Sequence, residues 1–126
     1  MSQINIKHVA NLDNESLRGL EFYEQELVIL QKRLDQIAAD NTGKEVAEKI
    51  EHFQNQFLIH KDAIERLRHR VRANTQDIEL QVVKTDPFVD LDSANEHESL
   101  VEQYLTEEKM FNEMRQEFNR FAAEWL

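Results

Sequence analysis

Between Val46 and Ile78 the chain carries one unbroken 3-4 repeat: Val46, Ile50, Phe53, Phe57, His60, Ile64, Leu67, Val71, Asn74, Ile78. Steps alternating between four and three residues average 3.5, so these side chains form a stripe along one face of an α-helix, and such a stripe is buried against other helices. One long amphipathic helix therefore organises the chain. Gly19, Gly43 and Pro87 are its only glycines and proline, so few breaks are available and the elements between them are long.

Two further stripes complete an all-α fold. Leu20, Tyr23, Leu27, Leu30, Leu34 and Ile37 repeat at the same spacing, and Asp13 offers an N-cap flanked by Leu12 and Leu17 as a hydrophobic staple. Thr42-Gly43-Lys44-Glu45 has the spacing of a capping box and opens the second helix after a very short connection. A second box, Ser93-Ala94-Asn95-Glu96, opens a third helix with the stripe Leu100, Tyr104, Phe111, Met114, Phe118, Phe121 and Trp125. The expectation is an antiparallel up-down-up three-helix bundle of long, coiled-coil-like helices over about 14–40, 43–79 and 93–125, in one domain spanning 1–126. Residues 1–12 are expected to form an arm, with Ile4, Ile6 and Val9 extended over the bundle end. Residues 80–92 are expected to form a loop, because Pro87 removes a backbone donor and biases Asp86 towards extended backbone. Ile78 to Val83 alternate with period two while also continuing the helical stripe, so their state is open between helix and strand.

Composition narrows the function. With no cysteine there are no thiolate metal sites, thiol nucleophiles or disulfides. No stretch approaches about 18 consecutive apolar residues, which removes a membrane span. Met1 to Ala10 has no apolar h-region of the secretory kind, and a cytoplasmic location is the expectation. The net charge of -10 disfavours a polyanionic partner such as nucleic acid.

His60 puts an imidazole in the middle of an apolar stripe, so it needs a polar partner. Folding the helices back on one another brings it level with Tyr23 and Glu24 and near Phe111, within a turn of Glu108; Glu107 and Glu108 fall where an apolar residue would be expected. A His60/Glu24/Glu108 cluster binding a metal or moving a proton is one reading. No Glu stands three residues before any histidine, as paired di-metal motifs have, so a satisfied core histidine, hydrogen-bonded to Tyr23 or a Glu and fixing register, is favoured, with no cofactor.

Arg66, Arg68, Arg70 and Arg72, with His69, form a basic cluster that could contact an anion. Internal neutralisation outweighs that reading: residues 92–126 hold nine acidic and three basic side chains, and Glu98, Glu102 and Glu107 are expected beside the cluster, with Asp13 and Glu15 on its other flank. Asp86, Asp90, Asp92 and Glu96 do not make a calcium loop, since Ala94, Asn95 and Val101 occupy positions that need a ligand, a glycine and a bidentate Glu. Carboxylates near a helix N-terminus explain them.

No Gly-rich phosphate loop, nucleophile elbow or His-Glu-x-x-His sequence supports an enzyme. The reading that remains is a non-enzymatic structural or interaction module. Phe22, Leu58 and Ile59 lie off the main stripes, and Phe121 and Trp125 add aromatic surface near the C-terminus. A bundle three helices wide leaves such residues partly uncovered, and they are expected to serve a homodimer or a partner helix.

Overall fold

The computed structural model describes residues 2–3, 5–85 and 88–126. It is an all-α three-helix bundle of α1 (Ile6–Asp40), α2 (Lys44–Thr85) and α3 (Leu91–Trp125), with every pair of helices in contact. Two short strands, β1 (Ser2–Gln3) and β2 (Phe88–Val89), pair antiparallel with Ser2 opposite Val89 and Gln3 opposite Phe88.

Helices α1 and α3 start earlier than the sequence predicts. Asn5, not Asp13, caps α1: its carbonyl accepts from the Val9 amide at 3.1 Å and its side chain from the His8 amide at 3.2 Å. Most of the expected arm is thus helix. Ile6, Val9, Asp13 and Ser16 continue the Leu20 stripe backwards at 3-4 spacing, so burial rewards the extra turns. Gly43 takes the cap position of α2, its carbonyl accepting from Ala47 at 3.0 Å, one residue later than the Thr42 box implies. Asp90, not Ser93, caps α3 and accepts from the Ser93 amide at 2.7 Å, which holds its carboxyl below the usual carboxylate range. Ser93 lies inside the helix and is buried.

The predicted 80–92 loop is also shorter. α2 runs to Thr85 and takes in Ile78 to Val83, which settles that segment as helix. Ile6 and Val9 are helical rather than extended, while Ile4, Asp86 and Pro87 lie outside the described residues.

Most of the buried apolar side chains make one core that runs from Leu20 to Ile37 in α1, Val46 to Val71 in α2 and Leu100 to Ala122 in α3, with Leu17, Ile50 and Trp125 against its edges. Phe53, Phe57, Phe118 and Phe121 form an aromatic group within it, their ring centroids 5.1 to 6.4 Å apart. The far end is tied by Asn41, whose side-chain amide donates to the carbonyls of Ile37 at 3.0 Å and Trp125 at 3.4 Å.

Gly19 is needed for close approach. A Cβ there would lie inside the contact radius of the Tyr104 hydroxyl oxygen and 2.8 Å from its Cζ, and the Tyr104 ring is buried and held by its hydrogen bond to Glu108. Gly→Ala within a helix ordinarily stabilises by about 0.5–1 kcal/mol. Here the sign reverses: Gly19→Ala is expected to cost about 1–3 kcal/mol as overpacking. Adding Tyr104→Phe, which removes the nearest atom, should recover part of that loss in urea melts.

Candidate functional site

Polar side chains enter the buried stripes at two levels. At the middle of the bundle, His60 of α2 and Glu107 of α3 meet with Nδ1 2.6 Å from Oε2, at 3 % and 8 % side-chain exposure. The Phe111 ring stands edge-on to the imidazole at 5.6 Å and stacks obliquely on Tyr23 at 4.6 Å. The expected level of His60 against Tyr23 and Phe111 is therefore correct. Its partner is not Glu108 or Glu24, however.

Adjacent residues on a helix point about 100° apart. Glu107 accordingly faces α2, and Glu108 turns towards α1, where its Oε2 accepts from the hydroxyls of Tyr23 at 3.2 Å and Tyr104 at 3.0 Å. Glu24 is engaged elsewhere, both its oxygens accepting from Arg68 Nη1 at 2.7 Å. The three residues of the metal reading thus have three different sets of partners. Among the described residues no group of three His, Asp or Glu side chains is placed to hold a metal ion.

The two tyrosines carry a pH dependence. Burial first, then the bond to Glu108 and its negative charge, push the Tyr104 hydroxyl well above its ordinary value of 10.0. Tyr23 is raised for the same leading reason, against opposing contributions from Asn112 and Arg115. The folded state thus holds these protons more tightly than the unfolded chain, so this stability is complete below pH 10 and falls as pH rises above it. Urea midpoints should hold from about pH 8 to near pH 10 and decline above it, and Tyr104→Phe should flatten the decline.

The second level lies towards the α2–α3 connection. Asp13 and Ser16 of α1, Asn74 and Thr75 of α2, and Ser93 and His97 of α3 occupy stripe positions or their neighbours, and all but half-buried Thr75 are buried. The Thr75 hydroxyl donates to Asp13, and the Asn74 amide donates to the Ser93 carbonyl at 3.1 Å. His97 Nδ1 sits 3.2 Å from Asp13 Oδ1 but off the line of a hydrogen bond. Reading the stripes only for apolar residues misses this level. The signal that finds it is the 3-4 spacing itself, which continues through Ser16, Asp13 and His97.

The basic cluster is largely neutralised, with partners other than those expected. Arg66 pairs with Asp62 at 3.0 Å, Arg68 with Glu24, and Arg70 with Glu96 at 2.8 Å while also reaching Gln103. Glu102 lines a groove beside Arg66 and Arg70; Arg72 lines another with Arg18, Glu21 and Arg68.

Of the expected interaction residues, Phe22, Leu58 and Ile59 are 46 %, 57 % and 57 % exposed. Phe121 is not on the surface: it is buried against Phe53 and Phe118, because its position continues the α3 stripe. Trp125 is partly buried against the end of the core. A cleft of about 400 Å³ runs between α1 and α2, with Leu27, Val28, Phe57 and Leu58 as its apolar walls and Glu24, Lys32, Lys61 and Glu65 at its rim. Among the described residues no helix is long and apolar enough to cross a membrane.

Fold and site together define an all-α antiparallel three-helix bundle with two buried polar levels. In comparisons with protein-family models, curated proteins and solved structures, none matches this chain.

Proposed function

We propose that this chain is a non-enzymatic structural or interaction module that works by associating with a second copy of itself. The observation that carries the reading is the apolar surface left by three helices. Val28 and Leu58 stand more than half exposed over the α1–α2 cleft, with Phe22, Ile29, Ile59, Leu105 and Met110 also exposed on the surfaces of the three helices. Exposed apolar and Met side chains of this kind mark association surfaces. A symmetric dimer is the simplest closed assembly that covers such surface. The net charge of -10 and the pairing of Arg66, Arg68 and Arg70 with carboxylates support a protein partner over a nucleic acid. A cytoplasmic setting belongs to the same proposal and rests on the sequence.

The test is the pair of variants Leu58→Glu and Ile59→Glu. Both sites are exposed, so thermal stability should change by no more than about 0.5 kcal/mol. Under this reading the double variant reduces the assembly to a single chain. An assembly of unchanged mass would place the contact elsewhere and overturn the role given to these residues.

A further inference from the structure

The small apolar cluster at the connection end is formed by Val9, Ile78 and Val89, with Ile6, Val82 and Ala94 against it. It is separate from the main core. Between the two, each helix crosses at polar residues: Asp13 and Ser16 in α1, Asn74 in α2, Ser93 and His97 in α3.

We propose that this end of the bundle, outward of the polar layer, opens as a cooperative unit while the main core stays folded. Burial of apolar side chains couples neighbouring parts of a fold, and here the two clusters of buried apolar residues are separated by buried polar residues on all three helices. What replaces it is hydrogen bonding: Thr75 to Asp13, Asn74 to the Ser93 carbonyl, Ser93 Oγ to Asp77 at 2.5 Å, and Gln81 to Asp77 and Ser93, both at 2.9 Å. Such groups exchange their partners for water when the end opens, so wetting the layer costs far less than wetting an apolar one. One member is already poorly satisfied, since His97 Nδ1 is buried without an aligned partner among the described residues.

The sequence beyond the layer also resists opening less than the rest. Leu80, Val83 and Leu91 are 64 %, 84 % and 58 % exposed, so the apolar content of this end is only partly used in its own packing. Opening adds Val9, Ile78 and Val89 to that surface. This inference is independent of self-association through the mid-bundle surface.

Amide hydrogen exchange on the full chain tests it. Amides of residues 10–12, 78–84 and 95–97 are expected to exchange at least about 100-fold faster than those of 20–37, 46–71 and 104–121, with one shared denaturant dependence and a step at the layer. Ordinary end fraying predicts rates graded residue by residue with no step. That pattern, or exchange of the end at the rate of the core, would overturn the proposal. Asp13→Leu with Thr75→Val and His97→Leu makes the layer apolar and should remove the step. Should that variant fail to fold, the profile of the unmodified chain still decides.

Discussion

Glu107→Leu in a chain that keeps His60 should lower stability by about 3–5 kcal/mol, because it leaves a buried imidazole without its partner. The bond it removes is short, at 2.6 Å, and shielded from water at both ends. His60→Leu alone should cost a comparable amount, this time stranding the carboxylate. A core histidine retained for register rather than for stability would instead tolerate His60→Leu or gain stability from it. The double variant His60→Leu/Glu107→Leu is expected to be as stable as the unmodified chain or more so, since replacing both partners of a buried polar pair by apolar side chains is often neutral or stabilising. Urea unfolding of the four chains, with m-values held equal, gives the coupling directly. Single variants that each cost less than about 1 kcal/mol would show that the pair is hydrated or not formed.

Phe118→Ala should be as damaging by another mechanism, with about 3–5 kcal/mol lost to transfer and cavity terms. Phe118 is fully buried, with the rings of Phe53, Phe57 and Phe121 within 5.2 to 6.1 Å of it. Three aromatic neighbours contributed by two long helices cannot collapse into the space without moving backbone. Phe118→Leu should cost clearly less, because more of the volume is kept. A loss for Phe118→Ala near that of an exposed site such as Leu105 would contradict the packing described.

Much of this fold is legible in the sequence because 3-4 spacing survives along all three helices. The level of His60 against Tyr23 and Phe111 follows from folding those stripes about the turn near 41–42 and the loop near 86, an estimate needing accuracy only to a turn. Helix starts are harder. Asn5 and Asp13 offer the same capping chemistry, and the choice depends on Ile6 and Val9 finding apolar partners in Ile78 and Val89, which lie far along the chain. Asp90 and Ser93 present the same ambiguity, resolved by the burial of Ser93. The choice between Glu107 and Glu108 turns on about 100° of helix rotation, finer than any estimate of level supplies. The aromatic content of α3 exceeds an ordinary core and points Phe121 to the surface, whereas the structure places that excess in an aromatic group shared with Phe53 and Phe57 of α2.

In the proposed reading, the exposed apolar residues at mid-bundle link this fold to self-association. Light scattering on a sizing column, run on the untagged chain across a dilution series, tests that link most directly. Self-association predicts twice the 15.0 kDa mass of one chain, falling towards it only on extensive dilution. A mass of 15.0 kDa at every concentration would contradict it and leave the Val28–Leu58 cleft open for a different protein.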